Sequence, residues 1–298
     1  MRLLFIKSIL YACAYLPLPV IHAIGIGIGW GLILVPNRSR SSTEINIARC
    51  LPELSGREQR ALSRKSLLET GKTIIETSAL WFRSGKQSLR LIRKVDGNEM
   101  VEQAIAAGSG AILATPHLGS WEAAGLYGSA EFAITCLYRP LKIAEAEDLV
   151  RNARNRLGGN YVPANASGIR LVYKALEQGR VVAMLPDQEP QAGTGVYAPF
   201  FGIPAYSMVF LSRLSLRTGA PIIFAWCERL SWGRGYHLHF RSFSGVNKSS
   251  DIESNVAAVN MAVEQCVREC PEQYQWSYRR FKSRPEGESS FYKRQLPS

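Results

Sequence analysis

From Ile9 to Val35 the chain carries no charged residue, a run of about 27 positions. Basic residues bracket it, with Arg2 and Lys7 before and Arg38 and Arg40 after. A helix needs roughly 20 apolar residues to cross a bilayer, so the length suffices. Pro17 and Pro19 fall inside the run and would kink or split such a helix. That leaves a re-entrant or half-embedded hairpin as a second form, and a buried helix of a soluble core as a third. A secretory signal would be shorter, and "VPNRSRSS" is a poor cleavage site. The expectation is therefore an N-terminal membrane anchor over residues 1–40, in which His22 faces protein or headgroups.

Apolar residues recur at helical spacing over residues 41–87, where Ser55 is a suitable N-cap with Glu58 three residues on. Beyond that, short apolar runs alternate with amphipathic stretches. The runs "AILAT" (111–115), "FAITCLY" (132–138), "VVAML" (181–185), "PIIFAWCE" (221–228) and "YHLHF" (236–240) predict strands. Helices are predicted near 98–107, 120–130, 142–157, 167–178, 206–218 and 251–269. Such alternation indicates an α/β sandwich with a mostly parallel sheet. We assign it to residues 41–285 and treat 286–298 as a basic, loosely held C-terminal tail.

Composition changes this picture in two respects. Lys and Arg number 36 against 24 Asp and Glu, a net charge of +12. This points to a polyanionic neighbour, either nucleic acid or an anionic membrane surface. The basic residues are spread along the chain and mixed with acids, with no dedicated arm, which argues against nucleic acid. The six cysteines form no CxxC pair, and a core of this size needs no staples, so reduced thiols in a cytoplasmic body are expected.

In parallel α/β folds chemistry collects where strands end and helices begin. Those junctions read "TPHLGSWE", "YRPLK" and "LPDQEP". The first places His117 in a loop and Glu122 in the first turn of the next helix, with Ser120 as N-cap. Five residues apart on one helix, the two would diverge by about 140°. With His117 off the helix its ring can fold back over the first turn, where the helix dipole favours an ionised Glu122. A carboxylate on one imidazole nitrogen would leave the other as a base. A loop histidine satisfied by local backbone is the bland alternative. Arg139, just after a strand, could clamp a phosphate or carboxylate. Asp187 and Gln188 at the next strand end could position a substrate. The aromatic loop "YAPFFGIPAYS" (197–207) could pack in the core or line an acyl pocket.

Other chemistries lack their residues. GxSxG, HExxH and a Walker-type loop are all absent, and "GIGIGWG" lies inside the apolar run, where small residues permit close helix packing. His237 and His239 would share one strand face and read as structural, so no metal is assigned.

The ordered set "PHLGSWE", "YRP", "DQEP" with "FFGIPA", and "PEQYQWSYRRFK" (271–282) resembles the bacterial lipid A biosynthesis acyltransferases, the late lauroyl/myristoyl enzymes of the lysophospholipid acyltransferase superfamily. The resemblance runs from the N-terminal apolar segment to about residue 285. It implies that superfamily's αβα sandwich and O-acyl transfer from an acyl carrier protein thioester to a hydroxyl of a lipid A precursor of the Kdo-lipid IVA type. It also implies His117 as base and Glu122 as the acid that orients it. Arg139 would contact an anionic acceptor group, Asp187 and Gln188 would bind substrate, and Arg156, with Arg154, matches a basic cluster more loosely. Tyr278 stands where the family often has His, and Ala205 with Ser207 where it often has "AxT". These departures bear on acceptor or chain length.

That chemistry needs no cofactor, because the thioester supplies the driving force. Backbone N–H groups around Gly119–Trp121 would receive the oxyanion. Acyl carrier protein, the lipid A precursor and inner-membrane lipids are the expected partners, with the catalytic domain on the cytoplasmic side and no nucleic acid. An acyltransferase of the same superfamily acting on another glycolipid or lysophospholipid is the runner-up. A tethered nucleic-acid binder and an inactive scaffold are the readings outside enzymology.

Overall fold

Three strands form the dry centre of the molecule because their side chains are apolar up to Glu228 and Arg229 at the end of the last: β2 (Ala111–Ala114), β5 (Val181–Met184) and β8 (Ile222–Arg229). Strands buried on both faces are the mark of a parallel sheet covered by helices. The structure, a computed structural model, describes residues 11–140 and 144–292. Arg2, Lys7 and the first two residues of the uncharged run, the start of the predicted 142–157 helix and tail residues 293–298 lie outside the described residues.

Around that centre stand β1 (Ile92–Asp96), β3 (Thr135–Tyr138), β4 (Asn160–Pro163) and β9 (Tyr236–Phe243). The seven strands run in the order β1-β9-β8-β2-β5-β3-β4, all pairs parallel except β8–β9. The expected mostly parallel α/β sandwich is thus observed. One helical layer comprises α1 (Leu18–Leu34), α3 (Gly56–Phe82), α5 (Glu99–Ala106) and α6 (Trp121–Phe132), whose apolar faces meet Leu113, Ala183, Ala225 and Leu238 of the sheet. The opposite layer comprises α2 (Arg38–Cys50), α8 (Ala166–Glu177), α9 (Phe210–Thr218) and α10 (Ile252–Glu269). A short α4 (Gly85–Leu89) follows α3, and α7 (Ala144–Asn155) links β3 to β4.

The helices begin where the side chains allow. Ser55 and Glu58 form the expected reciprocal capping box on α3. Ser120 occupies the N-cap of α6, but its side chain makes no capping bond and its buried hydroxyl has no partner among the described residues. β1 and β4 were not predicted. β1 reads "IRKVD", an edge strand whose alternating charges hide it. "YAPFFGIPA" proves to be a hairpin of β6 (Gly195–Phe200) and β7 (Ile203–Met208), turned at Phe201 and Gly202 with φ of 50° and 73°. β7 therefore takes the first residues of the predicted 206–218 helix.

The N-terminal segment departs most from expectation. Pro17 and Pro19 do split the apolar run, as expected: residues 11–14 are helical and the helix breaks at 15–17. Both prolines sit at the start of α1, where a missing N–H costs nothing. No single helix of the described residues is long and apolar enough to cross a membrane, and α1 with α2 would do so only as a pair bent by 82°. α1 instead lies along α3. Gly25, Gly29 and Gly71 let the backbones touch: a Cβ on Gly71 would sit 2.1 Å from the Gly25 carbonyl oxygen. His22, on the same face, is buried against Glu76 of α3 at 3.2 Å. The other face of α1 exposes Val20, Ile24, Ile26, Trp30 and Leu34. The described part of the tail is held more firmly than predicted, because Arg49 stacks on Phe291 and the Tyr292 hydroxyl donates to Asn46.

Candidate active site

The loop leaving β2 has little backbone freedom. Thr115 N–H extends the ladder to Met184, His117 C=O accepts from Gln275 N–H, Gly119 N–H donates to Gln273 C=O and Ser120 N–H donates to Cys227 C=O, all within 3.1 Å. Gly119 takes φ +62°, and a Cβ there would meet the Cys227 carbonyl oxygen at 2.0 Å, so only glycine fits. The expected oxyanion donors are thereby reduced: Gly119 and Ser120 N–H are already bonded, which leaves the first-turn amides of α6, beginning with Trp121.

His117 stands at the end of this loop with Asp187, which β5 delivers. His117 N–H donates to Asp187 Oδ2 at 2.9 Å, and Nδ1 lies 2.8 Å from Oδ1. Asp187 is buried. Burial opposes its charge, but the His117 imidazole and both hydrogen bonds hold its carboxyl below the usual range. Gln188 Nε2 lies 3.1 Å from His117 Nε2 and donates to Gln275 Oε1 at 3.0 Å. An amide NH2 donates and does not accept, so His117 Nε2 carries the lone pair and Nδ1 the proton. That tautomer is the one a general base needs.

Glu122 does not take the orienting position predicted for it. No hydrogen bond joins it to His117 among the described residues. Its carboxylate accepts from Trp81 Nε1 of α3 at 3.0 Å and from Arg154 Nε of α7 at 3.1 Å, with Arg154 Nη2 also bonded. Both ring nitrogens of His117 are engaged elsewhere, and the Arg154 guanidinium draws the carboxylate away. Burial works against the Glu122 charge, but Arg154 outweighs it and keeps the group ionised.

Arg139 is exposed and lines the cavity described below. Arg156, predicted to bind substrate, points elsewhere: its guanidinium donates to the Leu80 and Trp81 carbonyls and to Ser88 Oγ. It caps the C-terminal end of α3, where orphan carbonyls attract a cation. Tyr278, one of the departures from the family pattern, accepts from Glu189 N–H at 3.0 Å and so buttresses the loop that carries Gln188.

Two cavities converge here. One, of about 750 Å³, runs from His117, Arg139 and Gln188 into an apolar recess between α6 and the sheet, ending among Ile134, Leu238 and Phe240. A second, of about 350 Å³, runs along α3, where Thr70, Thr73 and Thr77 alternate with Ile74 and Trp81, and is closed by Trp121, Val150 and Tyr274. Trp121, Glu122, Arg139 and Arg154 border both, so the Glu122–Arg154 pair stands where the two cavities meet.

A buried ion cluster underlies the site and was not foreseen. Arg229, at the end of β8, donates to both Glu76 oxygens at 2.7 and 2.6 Å, to Glu69 at 2.8 Å, to Thr73 at 3.0 Å and to the Gly119 carbonyl at 3.1 Å. Tyr236 adds its hydroxyl to Glu76 at 3.0 Å. Glu69, Thr73 and Glu76 recur at i, i+4 and i+7 on α3, a polar stripe on one helix face that could have signalled a buried partner. What could not be read was that the partner lies on a strand 153 residues away.

The bacterial lipid A biosynthesis acyltransferase family model matches residues 3–283. This chain belongs to that family. It is 30% identical to a lipid A biosynthesis lauroyltransferase of Escherichia coli (strain K12) over 287 residues, 96% of this chain and 92% of that protein. A lipid A biosynthesis palmitoleoyltransferase of the same strain is 28% identical over 289 residues, 96% and 92% respectively. A phosphatidylinositol mannoside acyltransferase of Mycobacterium tuberculosis (strain CDC 1551 / Oshkosh) matches less of the chain, 28% over 184 residues, 60% of this chain and 55% of that protein. The protein is an acyltransferase of lipid A biosynthesis.

The buried cluster should govern acid stability. Burial raises the Glu76 pKa, but Arg229 and His22 overcome this and bring it to about 2, below its ordinary 4.5. A depressed carboxyl stabilises the fold above its unfolded pKa and loses that contribution as pH falls through the folded value. In denaturant unfolding of the detergent-solubilised protein, the contribution from Glu76 should therefore be full above about pH 4.5 and decline toward pH 2. Glu76→Gln should flatten that limb. Arg229→Met, which strands two carboxylates, should cost about 3–5 kcal/mol at neutral pH.

Proposed function

We propose that the protein transfers an acyl chain from an acyl carrier protein thioester to a hydroxyl of a lipid A precursor of the Kdo-lipid IVA type. The observation that carries this reading is the His117 imidazole, poised as an Nδ1–H tautomer at the mouth of a cavity whose far end is apolar. The acyl chain occupies the recess toward Leu238 and Phe240, and the thioester carbonyl lies beside His117. The acceptor takes the second cavity, along α3, with its anionic groups near Arg139, which borders both cavities.

In the reaction the acceptor hydroxyl displaces the Gln188 amide from His117 Nε2. That nitrogen removes the hydroxyl proton as the oxygen attacks the thioester carbonyl, while Asp187 stabilises the imidazolium that forms. The first-turn amides of α6 and the positive end of its dipole favour the oxyanion. Collapse breaks the C–S bond, and the imidazolium returns the proton to the departing thiolate. Glu122 acts through Arg154, holding that guanidinium between the two cavities.

The protein works at the cytoplasmic side of the bacterial inner membrane. The outer face of α1 supports this: Val20, Ile24, Ile26, Trp30 and Leu34 form an uncharged surface that water does not favour. Because the other face is locked to α3, α1 lies in the plane of the interface and does not cross it. Trp232 extends the surface, 90% exposed on a loop that abuts Pro19 and forced to φ +62°. An exposed aromatic held in a costly conformation suits an interfacial anchor.

His117→Ala should lower acyl transfer in membranes supplied with acyl carrier protein thioester and lipid A precursor by roughly 10²–10⁴-fold. Full product mass from that variant would refute the base assignment, and gain of acyl by a glycerolipid or mannolipid alone would favour the runner-up acceptor. In flotation with vesicles containing anionic lipid, Trp232→Ala should weaken binding by about tenfold. Unchanged flotation of that variant, and of Trp30→Glu, would remove the interfacial assignment.

A further inference from the structure

Far along the sheet, on its β1 edge, lies a cluster with no part in acyl transfer. β9 presents His237 and His239 on one face, as residues two apart on a strand must. The parallel register sets Asp96 of β1 opposite His239 and Lys94 opposite His237. The antiparallel register sets Glu228 of β8 opposite His237 and Trp226 opposite His239. Three strands thus gather two imidazoles and two carboxylates on a rigid surface.

Their contacts are close. His237 Nε2 lies 2.8 Å from Asp96 Oδ2, and His239 Nε2 lies 3.1 Å from Glu228 Oε2. The two imidazole rings are 3.7 Å apart at their centroids, and the Trp226 indole stacks on His239 at 4.8 Å and 10°. One ligand atom each from Asp96, His237 and His239 falls within 4.8 Å of the others.

We propose that Asp96, His237 and His239 form a binding site for a divalent transition-metal ion of the zinc class, with Glu228 as the outer carboxylate that orients His239. A tetrahedral ion with bonds of about 2.0–2.1 Å holds its ligand atoms about 3.3 Å apart. The ion replaces the proton between His237 and Asp96, and that pair opens only slightly from its 2.8 Å. Two imidazoles and one carboxylate suit zinc, cobalt, nickel or copper better than magnesium or calcium, which prefer oxygen throughout. The Trp226 stack and the Glu228 hydrogen bond supply the support that keeps a metal-binding histidine in one orientation. Solvent reaches the cluster, since the Asp96 side chain is 48% exposed, so water completes the coordination. Lys94 opposes the ion, because its ammonium bonds the same Asp96 oxygen at 2.6 Å. A bound ion would fasten edge strand β1 to β9, the strand whose opposite face places Leu238 and Phe240 in the acyl recess.

The test is a Co²⁺ titration of untagged, full-length protein in detergent after chelator treatment, followed by competition with Zn²⁺. Wild-type protein should bind one Co²⁺ per chain with the visible absorption of a low-symmetry site, and Zn²⁺ should displace it and raise the thermal midpoint. The His237→Ala/His239→Ala pair should lose the absorption and the midpoint shift while keeping its circular dichroism. Glu228→Gln should weaken binding about tenfold, and Lys94→Met should tighten it. Asp96→Asn, an exposed edge position, should weaken binding and provides the readout should the double variant fold poorly. Absence of stoichiometric Co²⁺ in wild-type protein, or equal binding by the double variant or by Asp96→Asn, would overturn the site.

Discussion

Everything near the loop that carries His117 depends on one buried guanidinium. Arg229 is removed from water, and an isolated charge there would be prohibitive. It is tolerated because Glu76, Glu69 and Thr73 of α3 and the Gly119 carbonyl surround it. The same contacts tie α3 to β8 and hold the loop that carries His117. His22 reaches the cluster through Glu76, so the seat of α1 and the placement of the His117 loop are coupled by one set of contacts. Replacing either carboxylate leaves the arginine under-compensated, so α3, β8 and the loop cannot vary independently.

On that base two cavities meet beside His117, at Glu122 and Arg154. The proposed reaction would bring an acyl chain and a lipid acceptor to one imidazole, one from each cavity. The apolar recess behind α6 depends on small residues: Gly125 and Gly128 on the helix, Ala183 and Ala225 on the sheet. The cavity along α3 lies on the other side of Glu122 and Arg154. Asp187, not Glu122, holds the imidazole, and this frees Glu122 to keep an arginine in place at the boundary.

Much of this was legible in the chain, for local reasons. Strands such as "VVAM" and helices such as that starting at Ser55 and Glu58 announce themselves because burial and capping act over a few residues. His117, Asp187 and Gln188 could be picked out because strand ends in parallel sheets meet at one edge, and the structure brings these three together. The pairing of His117 was misread, since Glu122 is near in sequence whereas Asp187 is 70 residues away. Arg156 was misread because a cation near a site and a cation capping a helix look alike in one dimension. β1 escaped notice because an edge strand with Arg93, Lys94 and Asp96 has no apolar pattern. The apolar run of residues 9–35 looked like a crossing helix because hydropathy does not say which neighbour receives each face.

The measurement that bears most directly on the mechanism is the imidazole ¹⁵N spectrum of His117 in ¹⁵N-histidine-labelled protein, assigned by its loss in His117→Gln. If Asp187 orients the base, the neutral imidazole of wild-type His117 carries its proton on Nδ1, Asp187→Asn disturbs that tautomer, and Glu122→Gln leaves it in place. A His117 tautomer that survives Asp187→Asn and is lost in Glu122→Gln would contradict the assignment and restore Glu122 as the orienting acid.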